Sequence, residues 1–197
     1  MKFVLASASA SRARILSGAK VPFAAVPADI DESSLKATLL EQNKTIQEVA
    51  LALAQAKAIH VSKLRPDDLI LGADQVLEFG DELLSKCADL AAARDLLRRL
   101  RGRRHRLISA LALAKAGKVI WTHSEAADLT MRPFSDAFLD AYLLAEGSAV
   151  LDGVGCYRLE TMGAQLFERV EGDYFSILGL PLQPLLAELR LKGVIAS

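Results

Sequence analysis

Arg12, Glu32, Lys57, Asp74 and Lys86 combine residue type and setting in a way that suits phosphate chemistry. Arg12 follows a turn in which Ser7, Ser9 and Ser11 alternate with alanines, directly after the apolar run 2–6. A strand that passes through a hydroxyl-rich turn into a helix start presents backbone N–H groups and a positive dipole end to an anion. The serines add donors, and Arg12 adds a planar fork matched to phosphate oxygens. An ordinary strand-to-helix loop with serine caps uses the same residues, so the turn needs a partner motif. Asp74 is one: it closes the apolar run 69–73, and open α/β sheets place ligand chemistry beyond the carboxyl ends of strands. A capping aspartate fits that position equally well. Glu32, with Asp31 beside it, offers a second carboxylate. Two carboxylates from separate loops suit Mg²⁺ against phosphates, because that ion takes one or two carboxylates and keeps several waters. Acidic runs after a strand are also common as solvated loops. Lys57, set among Ala54, Ala56, Ala58 and Ile59, and Lys86, before Cys87, are candidate phosphate contacts. A snorkelling lysine at a helix edge and a solvated loop lysine are the respective alternatives.

The elements that must position these groups follow from periodicity and punctuation. Strands are expected at 2–6, 22–26 and 69–73, the last stopping at Asp74, with 76–79 extended before a Gly80-Asp81 turn. Thr45 and Glu48 form a capping-box pattern before an alanine-rich helix ending near Ser62. Asp89 caps a helix to Arg101 whose apolar face carries Leu90, Ala93, Leu97 and Leu100, with Gly102 after it. A long hairpin spans 105–131 about Ala116-Gly117. Ser135 caps a helix with Phe138, Leu139 and Tyr142 inward, stopped at Gly147; a glycine-rich loop at 153–155 leads to a strand at 164–170. Pro181 opens a last helix to about Lys192. Alternating strands and helices with hairpins give an α/β fold with a mixed sheet.

At 197 residues and 52% hydrophobic content the chain buries a sizeable core, as one domain or as two small lobes about a cleft. Basic and acidic residues balance at 24 each, so no global field recruits nucleic acid or anionic lipid. The arginine run from Arg98 to Arg106 sits at a helix C-terminus, where cations suit the dipole, and no aromatics interleave it. His60, His105 and His123 do not cluster as a zinc site, and Walker A and dinucleotide-glycine patterns are absent. Cys87 and Cys156 lack metal-ligand spacing and suit free thiols in a reducing compartment. The N-terminal apolar run is too short for a signal peptide and none approaches a membrane span, so a cytoplasmic location without membrane contact is expected.

The segments LASASASRARIL (5–16), DIDE (29–32), AQAKA (54–58), GADQV (72–76), GRRH (102–105), GVGCYRLE (153–160) and EGDYFSILGLPL (171–182) together resemble the Maf family of nucleoside triphosphate pyrophosphatases. The likeness runs nearly end to end, so 1–197 is expected to form one such domain. It implies an elongated mixed-sheet α/β fold, related to inosine triphosphatase, with two lobes about a cleft. It implies hydrolysis of a nucleoside triphosphate to the monophosphate and pyrophosphate with a divalent metal, Mg²⁺ or Mn²⁺, and it suggests a homodimer. The family name also carries a link to septum formation, so a nucleotide-binding regulator of division with little catalysis is the rival reading.

Carried over by position, the resemblance makes Asp74 proton acceptor and metal ligand, Glu32 a metal ligand, and Ser7, Ser9, Arg12, Lys57 and Lys86 phosphate contacts. Ser11, Gln75 and Glu160 fall on positions tied to substrate choice, and Gln75 with Glu160 resembles the subgroup acting on 7-methyl-GTP. Guanine offers two adjacent donors that one carboxylate can accept, and N7-methylation strengthens them. Ser11 departs from the bulky aromatic expected there, and Ala10 and Cys87 stand where proline is usual.

Overall fold

Residue parity along the first strand decides how the sheet is covered. In the computed structural model, which describes residues 1–196, the elements in chain order are β1 (Phe3–Leu5), α1 (Ala10–Gly18), β2 (Ala24–Ala25), α2 (Glu32–Glu41), α3 (Ile46–Leu64), β3 (Leu69–Phe79) and β4 (Glu82–Leu84). They continue with α4 (Leu90–Leu100), β5 (Arg104–Lys115), β6 (Lys118–Met131), α5 (Asp136–Glu146), β7 (Phe167–Glu171), α6 (Tyr174–Ile177) and α7 (Leu182–Leu191); 3₁₀ turns cover Gly147–Asp152 and Met162–Leu166. The sheet is mixed and seven-stranded, in the order β2-β1-β3-β5-β6-β7, with β4 also on β3. β1 runs parallel to both β2 and β3, while β3–β4 and β6–β7 are antiparallel. The α/β mixed-sheet class read from sequence is the one observed.

By contacts the chain forms two compact units: Met1–Gln75, Ile108–Glu125 and the segment from Asp173 on make the first, Val76–Leu107 and Ala126–Gly172 the second. In the first unit, Phe3, Leu5, Leu69 and Leu71 pack with Ile15 and Leu16 of α1 and Leu185 and Leu189 of α7. Val4, Ala6 and Ile70 point the other way, onto Val61 of α3. Both sheet faces are therefore covered, which explains why β1 and β3 read as unbroken apolar runs. Thr45 and Glu48 complete the expected capping box of α3.

Two expectations for this unit need correction. The acidic segment at 29–32 is not a loop throughout: Asp31 caps α2 by accepting from the Ser34 N–H at 2.9 Å, and Glu32 is the first helical residue. β3 does not stop at Asp74 but continues to Phe79. Its parallel neighbour β1 ends at Leu5, with a last bond from the Ala6 N–H to the Leu71 carbonyl at 2.7 Å, whereas β5 remains as a neighbour. Asp74 thus lies past the end of β1, inside a strand that β5 keeps extended.

In the second unit Asp89 caps α4 as expected, accepting from the Ala92 N–H at 2.8 Å. The buried stripe is Ala93, Leu96, Leu97 and Leu100; Leu90, at the first helical position and one turn ahead of that stripe, is exposed instead. Ser135 caps α5, whose Leu139 and Tyr142 are buried, while Phe138 is half-buried under the Arg132 guanidinium at 4.2 Å. The strand expected at 164–170 begins only at Phe167. Pairing with β6 starts at Met131–Phe167, so 164–166 have no strand partner and close a 3₁₀ turn. The arginine run is tied to acids: Arg98 and Arg101 to Asp136, Arg99 to Glu82, Arg104 and Arg106 to Asp128. Cys87 and Cys156 are both free, and their thiols meet; burial and then the Cys87 contact push the Cys156 thiol up to about 12. Among the described residues no helix is long and apolar enough to cross a membrane.

Candidate active site

The serine turn is organised by its own hydroxyls. Ser9 caps α1, accepting from the Arg12 N–H at 3.4 Å, and Ser7 Oγ accepts from the Ser9 N–H at 3.2 Å. Arg12 folds back over the turn: Nη1 donates to Ser7 Oγ at 3.1 Å and Nε to the Gly179 carbonyl at 2.9 Å. Ser11 donates to the Leu178 carbonyl at 3.1 Å. Arg12 is buried, and that burial pulls its proton affinity below the ordinary value while the charges of Asp74 and Glu32 push it back. An arginine stays charged in any such setting. The result is a fixed cation at a helix start, with hydroxyls beside it.

The carboxylates are brought together by a close approach of helix and strand. Gly72 of β3 lies against α3 so tightly that a Cβ there would sit 2.0 Å from the Ala54 carbonyl oxygen and 2.7 Å from the Ala58 nitrogen. Only glycine permits this contact. One turn along α3 from Ala54, Lys57 then reaches over β3 and donates to Asp74 Oδ1 at 2.6 Å. Its ammonium also lies 3.0 Å from Glu32 Oε1 at the start of α2. Lys57 is thus no snorkelling lysine: it is buried and bridges two carboxylates. Asp74 is 5% exposed, and its Oδ2 is buried with no hydrogen-bond partner among the described residues.

That orphaned oxygen and the Glu32 carboxylate make a donor set suited to a hard divalent cation, which accepts few protein oxygens and retains waters. Among the described residues no three His, Cys, Asp or Glu side chains cluster as a metal cage.

Gln75 sits next in β3. Its amide nitrogen lies 3.0 Å from Ser109 Oγ, 3.1 Å from the Ser176 carbonyl and 2.9 Å from the Ile177 carbonyl. Sequence reasoning missed Ser109, Ser176, Gly179 and the role of Gly72. The one available signal was the GLPL run, whose Gly179 has φ +94 and gives Arg12 its carbonyl anchor.

Ser7, Ser9, Ser11, Arg12, Glu32, Lys57, Asp74 and Gln75 all belong to the first unit. Lys86 and Glu160 belong to the second. There, Lys86 is exposed just after β4, and Glu160 lies before the second 3₁₀ turn with its carboxylate 3.6 Å from Arg158. In the same unit His105 is buried, its Nε2 2.8 Å from the Tyr157 hydroxyl and its Nδ1 without a partner among the described residues; burial lowers its pKa to about 4.

The family model described as Maf-like protein matches residues 2–191. A protein of Mesorhizobium japonicum named 7-methyl-GTP pyrophosphatase is 48% identical over 194 residues, covering 98% of both chains. One of Maricaulis maris, named nucleoside triphosphate pyrophosphatase, is 49% identical over 194 residues with the same coverage. A solved HAM1 protein from Coxiella burnetii shares 18% identity over 68% of this chain and 74% of its own at a TM-score of 0.45, too slight a likeness to carry weight. With the family model spanning almost the whole chain and relatives matching end to end at nearly half identity, the chain belongs to the family of Maf-like proteins.

Proposed function

We propose that this protein hydrolyses nucleoside triphosphates between the α and β phosphates, releasing a nucleoside monophosphate and pyrophosphate. The observation that carries the reading is the buried Lys57–Asp74 pair, in which Lys57 grips Asp74 Oδ1 and reaches the half-exposed Glu32 as well, while Asp74 Oδ2 is buried and unpaired among the described residues. The pyrophosphatase names of the relatives support it. Water attacks the α-phosphorus, the bond to the bridging oxygen breaks, and Asp74 takes the water's proton. Lys57 holds Oδ1, so the carboxylate has one open end and a fixed orientation, as a general base requires. Arg12, held by Gly179 and Ser7, is preorganised for charge developing on the phosphates. Ser7 and Ser9 line the same turn. Glu32 and Asp74 would hold Mg²⁺ or Mn²⁺, which when bound lowers the pKa of water and polarises the phosphoryl oxygen.

Lys86 is assigned to the phosphates and Glu160 to the base on the strength of their motifs. We read the base as guanine, with 7-methyl-GTP preferred: a carboxylate accepts from N1–H and the exocyclic amine together, and repels the carbonyls of uracil and thymine. Small Ser11 leaves that choice broad. The test is to incubate the purified protein and Mg²⁺ or Mn²⁺ with 7-methyl-GTP, GTP, UTP and dTTP, measuring pyrophosphate and monophosphate. Equimolar release of both, with guanine nucleotides favoured and the preference reduced in Glu160→Gln, is expected. Release of inorganic phosphate instead would contradict the cleavage point, and a preference for UTP or dTTP would contradict the base assignment.

A further inference from the structure

The carboxamide of Gln75 is locked by hydrogen-bond polarity. Its nitrogen faces two backbone carbonyls, Ser176 at 3.1 Å and Ile177 at 2.9 Å, which can only accept. It also faces Ser109 Oγ at 3.0 Å, and Ser109, 1% exposed on β5, gives its own proton to the Ser176 carbonyl at 2.7 Å. The serine therefore has only lone pairs left for Gln75. A reversed amide would set its oxygen against two carbonyl oxygens, so hydrogen-bond chemistry fixes the orientation. With the NH₂ committed inward, Oε1 is the end turned away. It converges with the Arg12 guanidinium on Gly179: Arg12 Nε and Nη2 and Gln75 Oε1 are the three atoms nearest to where a Cβ on that glycine would stand, at 3.6–3.7 Å.

We propose that Ser109 is a positioning residue for substrate selection: its hydroxyl is the side-chain member of the acceptor set that, with the Ser176 and Ile177 carbonyls, holds Gln75 in place as a pure acceptor, so that the site requires a hydrogen-bond donor of the nucleotide at this point. The inference rests on the nucleotide reading given above and deepens it. An acceptor-only Gln75 repels phosphate oxygens, which divides its task from that of Arg12 although the two are adjacent. The donors a nucleotide offers are a base N–H and a ribose hydroxyl.

The lock is tested without any ligand. In side-chain amide NMR of the wild-type protein, both Gln75 Nε2 protons are expected to exchange with water more slowly than those of an exposed glutamine. Exchange speeds up in Ser109→Ala and slows again in Ser109→Thr, which restores the hydroxyl. Fast exchange in the wild type overturns the lock, whatever the protein does to nucleotides. The selection role is tested by a double-mutant cycle on GTP, 2′-deoxy-GTP and inosine triphosphate, which lacks the exocyclic amine, with Gln75→Met as the apolar isostere. Loss of one hydrogen-bond partner predicts that Ser109→Ala lowers kcat/KM for GTP about fivefold to tenfold, mainly through KM, and has no further effect in the Gln75→Met background. The effect should vanish on 2′-deoxy-GTP if the donor is the hydroxyl, and on inosine triphosphate if it is the second N–H of the exocyclic amine. An effect of Ser109→Ala that persists in Gln75→Met, or is equal on all three nucleotides, overturns the selection role. If no nucleotide turns over at all, the pyrophosphatase reading fails while the NMR arm still decides the lock.

Discussion

The Lys57–Asp74 pair and the arginine run of the second unit use the same kinds of charge at similar distances, yet they stand in opposite surroundings. Lys57 and Asp74 meet at 2.6 Å with side chains 11% and 8% exposed; Arg98 and Asp136 meet at 2.9 Å with 39% and 53% exposed. Distance does not rank them, and desolvation does. A buried pair carries a penalty that its attraction offsets only when both partners are present, whereas an exposed pair gains little and loses little. A chain that places a carboxylate and a lysine where apolar side chains would fold more cheaply is holding charge for a task. Conspicuous charge and useful charge lie in different places.

The largest effect expected from breaking this contrast is at Lys57. Lys57→Met leaves Asp74 buried without the Lys57 donor, and should cost about 3–5 kcal/mol in chemical denaturation as well as turnover. Gly72→Ala attacks the same centre through the backbone. A methyl 2.0 Å from the Ala54 carbonyl must push α3 off β3, with a loss of about 3 kcal/mol. Turnover should fall with it, because Lys57 and Asp74 sit on the two elements forced apart. A smaller change in either variant than in an exposed arginine variant would reverse the ranking.

His105 offers a titration of buried polarity in the second unit. Burial lowers its pKa from 6.5 to about 4, so the folded state stays neutral where the unfolded chain takes up a proton. Its contribution is complete above pH 6.5 and is lost as the pH falls towards 4, about 3 kcal/mol in all. His105→Gln, which keeps a partner for Tyr157, should flatten the stability profile between pH 6.5 and 5 relative to wild type. The smallest effect is expected at the surface: Arg98→Ala should leave the thermal midpoint and turnover unchanged within measurement, since Asp136 keeps Arg101.

What could be read from the sequence divides along the same line. Caps were legible because one polar side chain before an apolar stripe states its role locally, as Thr45, Asp89 and Ser135 do. The serine turn and its Arg12 were legible for the same reason. The end of β3 was not, because whether a strand continues depends on which neighbours persist beside it, and β5 lies some thirty residues away. Lys57 reads in the sequence as either a phosphate contact or an edge lysine, because nothing near it reveals that Gly72 removes the space between α3 and β3. Ser109 carried no signal at all: it is one small polar residue in an apolar strand, and its meaning comes from the Ser176 carbonyl and Gln75.

The central claim, that Asp74 is the base of a buried catalytic cluster, is tested most directly by Asp74→Asn. The amide keeps the shape of the side chain but neither accepts the water's proton nor lends charge to a cation. Pyrophosphate release from GTP and 7-methyl-GTP should fall by about a thousandfold at saturating Mg²⁺, with a thermal midpoint that shows the protein still folded. Turnover close to wild type in a folded Asp74→Asn protein would contradict the account.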